Sequence, residues 1–460
     1  MGGDPAGSIR PESSRPLAIR RGRRLIRRIT VPPFDALEPF LPRLGGIDPH
    51  TRQAVTRILD DVIARGDAAI REYGREFDGV DLAPDDWELD AATWQQAPSR
   101  VSAALQDALS LAVRRVTEYH QRQRDNGYHL TEPDGSLVGM KVAALDRVGL
   151  YVPGGKASYP SSVIMNAVPA LVAGVQEIIA VIPPGGVTDV VLAACALSGV
   201  TRVFQVGGVQ AIAALAYGTR TIPRVDKIVG PGNRWVAEAK RQVAGHVGID
   251  MIAGPTEVLI IADESALPER VAADLIAQAE HDEDATSWCV TTSPDLAEVL
   301  PSALEAALIV TPREPIARQA LERNGLIVLA GSMREAIEVV NRRAPEHVQI
   351  CADGPERVAG SIRNAGAIFL GDSTPEPVGD YIAGPSHVLP TGGTARYASP
   401  LGVYDFVKRT SIIRYGGSRL ASDADAIIAL AEAEGLYAHA EAVRMRVGAT
   451  AGQRGSGAEA

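Results

Sequence analysis

The chain reads as an α/β protein with two Rossmann-like, incomplete parallel-sheet domains, a helical N-terminal part and a small C-terminal helical extension. Two observations predict this. From Arg147 onward, short apolar β runs alternate with helical patterns 10–15 residues long, the spacing of parallel βαβ units. The β runs end in glycine-rich turns: Pro153-Gly154-Gly155, Gly207-Gly208 and Gly230-Pro231-Gly232-Asn233. In the first half, strands are expected at Gly149–Val152, Glu177–Ile182, Arg202–Val206, Lys227–Val229 and Glu257–Ala262. Helices are expected at Val163–Val175, Val187–Ser198, Val209–Tyr217 and Trp235–Val243. The pattern then repeats, with strands at Trp288–Thr292, Leu326–Leu329, Val348–Cys351 and Ala367–Leu370. Its helices are Leu267–Glu280, Asp295–Ala307, Met333–Arg342 and Pro355–Asn364. Residues 47–145 read as mainly helical, with Thr51–Ala64 and Val101–Arg122 clearest. Pro385–Pro400 is turn-rich, and Ala424–Glu434 is a helix that Gly435 ends or bends.

Composition narrows the function classes. The 460 residues are 46% hydrophobic and 22% charged, as in ordinary globular chains and unlike collagen, coiled coils or disordered proteins. With 46 Lys+Arg against 56 Asp+Glu, the net charge of −10 speaks against a nucleic-acid partner. No apolar run reaches the ~18–20 residues of a membrane span. Cys195, Cys289 and Cys351 are far apart and form no CxxC; a reducing cytoplasm is the expectation. Residues 1–31 stand apart as a disordered or leader segment. Arg20, Arg21, Arg23, Arg24, Arg27 and Arg28 crowd together there, which fits either an organelle transit peptide or a solvated basic arm.

Ligand sites in doubly wound sheets lie at the carboxyl ends of strands. Glycines there let backbone N–H groups approach a phosphate-bearing ligand, although no GxGxxG is present and ordinary strand-to-helix turns look the same. Gln278 and His281 are three apart and about 60° apart on a helix, so they share a face. A histidine with a neighbouring oxygen donor is half of a metal site, or a solvated helix end. Glu346-His347 places a carboxylate beside an imidazole, a proton-moving pair or a strand cap. Asp380 sits in a Gly-Asp-Tyr turn, and His439 lies just past Gly435.

Together these stretches resemble the histidinol dehydrogenase family over about residues 45–446. The matching strings are GLYVPGGK from Gly149, GGVQAIAALAYGT from Gly207, GPGN at Gly230 and IDMIAGPTEV from Ile249. AQAEHD from Ala277, APEH at Ala344, GDYIAGPSHVLPTGGTAR from Gly379, DFVKRTS at Asp405 and EGLYAHAEAV from Glu434 complete the series. The segment from Gly379 through Ser411 looks like the histidinol branch rather than relatives acting on sulfonated diols. The resemblance implies oxidation of L-histidinol to L-histidine through L-histidinaldehyde, using two NAD. It implies one zinc per subunit on Gln278, His281, Asp380 and His439, with Glu346 and His347 as the acid–base pair. Substrate contacts would come from Thr256, Gln278, His281, His347, Asp380, Glu434 and His439, and NAD contacts from Tyr151, Gln210 and Asn233. A mixed N/O ligand set does not choose strongly between zinc, manganese and cobalt. Thr256 stands where serine is usual, and Val348-Gln349 where Leu-Glu is commoner. The family also implies a homodimer in which the C-terminal segment of one chain closes the other's site. The implied partition is 32–150 with 256–400 as a metal and catalytic domain, 151–255 as the NAD domain, and 401–460 as the dimerisation segment. All three cysteines lie in apolar runs, which argues against a covalent thiol mechanism.

Overall fold

The computed structural model describes residues 25–42, 48–154 and 159–452. Residues 1–24 of the leader, and Gly155 and Lys156 of the first glycine motif, lie outside the described residues. In chain order the strands are β1 (Arg27–Val31), β2 (Tyr128–Thr131), β3 (Leu137–Ala144), β4 (Arg147–Tyr151), β5 (Glu177–Val181), β6 (Arg202–Phe204), β7 (Lys227–Val229) and β8 (Gly248–Ile249). They continue with β9 (Glu257–Ala262), β10 (Thr286–Thr291), β11 (Leu326–Ala330), β12 (His347–Cys351), β13 (Ala367–Leu370) and β14 (Val407–Arg414). The described residues fall into two units.

The first unit comprises residues 25–41, 255–343 and 347–373. Its six-stranded sheet has the order β1-β11-β10-β9-β12-β13, and every pairing is parallel. β9 reads EVLIIA with every residue buried, the continuous apolar run of a strand covered on both faces. Leu275, Leu300, Leu304 and Cys289 pack on one side, and Trp288, Val328, Val339 and Ile350 on the other. The helices Pro268–Ala279 and Pro294–Ile309 begin with proline in the first turn, where the missing N–H is no loss.

Three expectations need correction in this unit. Residues 27–31 are not part of a disordered leader: they form β1, parallel to β11, and Leu25 and Ile26 are buried beside it. Arg28 instead pairs with Glu298 at 2.7 Å, a charged side chain on an edge strand. The helix expected over 355–364 ends at Ala359. There Asn341 Oδ1 accepts the Arg363 and Asn364 backbone N–H groups at 2.8 and 3.3 Å, so a side chain supplies the bonds a helix would have made. A further helix, Glu314–Asn324, was hidden by its charges; it buries only Ala317, Ala320 and Leu321.

The second unit comprises residue 42, residues 48–254, 344–346 and 374–452. Its five-stranded parallel sheet runs β6-β5-β4-β7-β8, with an antiparallel sheet β14-β3-β2. Residues 47–145 are therefore not helical throughout. β2 and β3 form a hairpin across a turn in which Asp134 accepts the Ser136 N–H at 2.9 Å, and β14 extends it. The N-terminal helices belong with this five-stranded sheet rather than with the 256–400 segment. Val55, Ile58, Leu59 and Val62 of helix Pro49–Arg65 share a core with Ile212, Leu215, Val236 and Ala239.

One buried clamp fixes the turn after β7. Gly230 has φ +111°, and a Cβ there would lie 2.2 Å from the Tyr151 carbonyl oxygen, so only glycine fits. Its N–H donates to Asp250 Oδ2 at 2.8 Å, and its carbonyl accepts from Lys240 Nζ at 3.0 Å. Lys240 and Asp250 also pair with each other, their side chains 3% and 1% exposed. Lys240→Met leaves a buried carboxylate unpaired, so it should destabilise the protein by about 3–5 kcal/mol. Denaturant titration checks this; a wild-type midpoint would contradict it.

Candidate active site

In the first unit, two adjacent residues where β9 begins organise the candidate side chains around them. Gln278, on helix Pro268–Ala279, is 1% exposed. Its Nε2 donates to Thr256 Oγ1 at 2.6 Å. Its Oε1 is buried and has no hydrogen-bond partner among the described residues. A buried acceptor left unmade costs about 1–3 kcal/mol, so this oxygen is shaped to receive a donor or a cation. His281 follows in the turn after the helix, where it is exposed and its N–H donates to the Gln278 carbonyl at 3.3 Å.

The residue after Thr256 serves His347, the first residue of β12. His347 is 3% exposed and leans on Phe369, ring centroids 5.9 Å apart. Its Nδ1 lies 2.9 Å from the backbone carbonyl of Glu257. A carbonyl only accepts, so Nδ1 carries the proton and Nε2 is the basic nitrogen. Glu346, immediately before it in sequence but part of the second unit, is 7% exposed. The Glu257 carboxylate takes Arg343 Nη2 at 2.9 Å. Neither Glu257 nor Arg343 was singled out in the sequence, although a charge heading the buried run EVLIIA demands a partner.

In the second unit, Asp380 lies on the short helix Pro377–Tyr381, with His387 Nδ1 3.5 Å from its Oδ1. Glu434 and His439 are exposed at the junction of the helices Gly417–Ala433 and Tyr437–Gly452. The end of β4 meets the glycine turn that follows β6. Tyr151, ending β4, accepts the Gly208 N–H on its hydroxyl at 3.3 Å, and burial pushes its phenol up to about 12. Gly208, at φ +66°, opens helix Gly208–Tyr217. Gln210 in that first turn is fully buried, and neither of its amide atoms has a partner among the described residues. Asn233 instead caps helix Arg234–Val243, its Oδ1 accepting from the Trp235 and Val236 N–H groups.

Known proteins match this chain over most of its length. The family model described as histidinol dehydrogenase matches residues 46–447. The chain belongs to the histidinol dehydrogenase family. The histidinol dehydrogenase of Geobacter sulfurreducens is 51% identical over 424 residues, 90% of this chain and 97% of the relative. That of Oceanobacillus iheyensis is 50% identical over 397 residues, 86% of this chain and 92% of the relative. The crystal structure of histidinol dehydrogenase from Elizabethkingia anophelis superposes with a TM-score of 0.88 at 32% identity, covering 93% of this chain and 99% of that one. As a histidinol dehydrogenase family member the chain is an oxidoreductase, of a family that catalyses the final steps of histidine biosynthesis. Among the described residues no helix is long and apolar enough to cross a membrane.

The three thiols stand outside this chemistry. Burial pushes Cys195 up to about 12 and Cys351 up to about 11, and raises Cys289 as well. The thiolate is the reactive form, so at pH 8 the folded protein should release no chromophore from a disulfide reagent on the timescale of mixing. All three thiols should react after denaturation. A thiol reacting at once in the native protein would contradict their assignment as inert core.

Proposed function

We propose that the chain oxidises L-histidinol to L-histidine in two successive NAD-dependent steps through bound L-histidinaldehyde. One observation carries the proposal most directly. Thr256 and Glu257, neighbours in sequence, orient the Gln278 amide oxygen and the His347 Nε2, one a metal donor and the other a base. Gln278, His281, Asp380 and His439 would hold one zinc per subunit. The unpartnered Gln278 Oε1 fits a cation, and the two imidazoles, carboxylate and amide oxygen leave room for the substrate's own nitrogens. Zinc, manganese and cobalt all suit such a set. Tyr151, Gln210 and Asn233 would bind NAD at the strand ends, where the two unpartnered amide atoms of Gln210 suit a polar ligand. The metal supplies orientation of the amino alcohol, and NAD accepts the hydrides.

The chain's own residues then divide the proton work. His347 Nε2 takes the hydroxyl proton as the alcohol becomes an aldehyde, while the Nδ1 bond to Glu257 holds the ring in the required tautomer. The aldehyde must be hydrated before a second hydride can leave. Glu346 takes a proton from that water while His347 returns its own proton to the aldehyde oxygen, giving the hydrate; His347, neutral again, then takes a hydroxyl proton of the hydrate as the second hydride leaves. Thr256, Glu434 and the metal-binding residues would contact the substrate.

The exposure of Glu434 and His439 supports a homodimer in which they complete the partner's site. Leu430, Leu436, Tyr437 and Met445 around them are also exposed, at 68%, 43%, 68% and 68%, an apolar surface in want of cover. A cytoplasmic location fits the three unpaired thiols.

Complete turnover should give two NADH per histidinol, read by absorbance, and Glu346→Gln should slow histidinal oxidation more than histidinol oxidation. General acid–base groups contribute about 10²–10⁴-fold, so the difference is measurable. One NADH with free aldehyde accumulating would contradict the two-step reading.

A further inference from the structure

We propose that the buried Arg343–Glu257 ion pair is a positioning device for Glu346, a role that rests on the two-step reading of the site. The segment Ala344-Pro345-Glu346 is tied at both ends to one residue. On one side Arg343 Nη2 meets the Glu257 carboxylate at 2.9 Å; on the other, His347 Nδ1 meets the Glu257 backbone carbonyl at 2.9 Å. Between these anchors the backbone has little freedom. Ala344 is fully buried with φ +50°, a left-handed conformation rare for alanine, and rarer before proline, which favours extended backbone at the preceding residue. Pro345 fixes its own φ. Such a conformation persists only where the surroundings over-determine it. The backbone position of Glu346, the point from which its carboxylate is presented, therefore follows from where the two ends are held.

The pair has the features of a device for geometry rather than stability. Both side chains are 6% exposed, and a buried ion pair of this kind is often neutral or unfavourable against apolar replacements. Arg343 also stacks over Trp288 at 5.2 Å from the ring centroid, while its Nη1 is buried with no hydrogen-bond partner among the described residues. The guanidinium thus has a set orientation from ring and carboxylate together, which an ammonium would not reproduce.

The test compares full-length, metal-loaded enzymes. Arg343→Met alone leaves a buried carboxylate unpaired and risks unfolding, so the informative variants are the double Glu257→Met/Arg343→Met, which removes both charges, and Arg343→Lys, which keeps the cation. Glu346→Gln is the reference. Turnover is measured separately on histidinol and on histidinal, with metal content and the KM for NAD and histidinol. Misplacing a reacting group by about 1 Å costs up to ~10²-fold. The double variant should therefore lower the histidinal-to-histidinol turnover ratio about tenfold and Arg343→Lys by less, with metal content and both KM values unchanged. A wild-type ratio in the double variant, or in Arg343→Lys should the double not fold, overturns the proposal, as does an equal loss on both substrates. A wild-type ratio in Glu346→Gln itself overturns the role of Glu346 and this proposal with it. A shifted ratio in Glu346→Gln beside wild-type ratios in the pair variants overturns this proposal alone.

Discussion

Two hydrogen bonds at the start of β9 hold the candidate side chains of the first unit. Thr256 receives the Gln278 amide nitrogen at 2.6 Å, and the Glu257 carbonyl receives His347 Nδ1 at 2.9 Å. The first leaves Gln278 Oε1 without a hydrogen-bond partner among the described residues, and the second makes Nε2 the basic nitrogen of the neutral His347 ring. β9 can carry this burden because it is an interior strand, paired with β10 and β12 and buried along its whole length. Its carbonyls and side chains move little, and rigid elements hold functional groups better than loops do.

The second unit uses the same principle with different parts. The Lys240–Asp250 pair holds both polar groups of Gly230, Gly230 lies against the Tyr151 backbone, and the Tyr151 hydroxyl holds the Gly208 N–H. The turns at three strand ends are thereby fixed to one another. Strand ends held in this way are pre-organised, which would limit the ordering that the proposed NAD must impose.

Much of this was legible in the sequence, for definite reasons. Buried parallel strands write themselves as apolar runs, so Lys227–Val229 and Glu257–Ala262 coincide with β7 and β9, while Ala367–Leu370 coincides with β13 on its apolar composition although only Phe369 of that edge strand is buried. The long motifs around Gln278, Glu346 and Asp380 carried the family and its residues. Local pattern failed where partners are distant in sequence. β1 lies 295 or more positions from its partner β11, and its arginines look like those of any basic leader. The hairpin of β2 and β3 is covered only in part, so its alternation is weak. Arg343 and Glu257 are 86 apart, and nothing local in either announces the other. Where the helix after β12 stops depends on the Asn341 side chain, which no reading of residues 355–364 contains.

The most direct test of the account is the metal affinity of a Thr256→Val protein, measured by competition with a chromogenic chelator. Valine keeps the shape of threonine but cannot accept the Gln278 amide N–H, so Oε1 would no longer be held in place for the proposed metal. Removing a group that orients a metal ligand typically weakens binding about 10–100-fold. Metal affinity should fall by that factor in a protein that remains folded and whose affinity for NAD is unchanged. Wild-type metal affinity in Thr256→Val would contradict it.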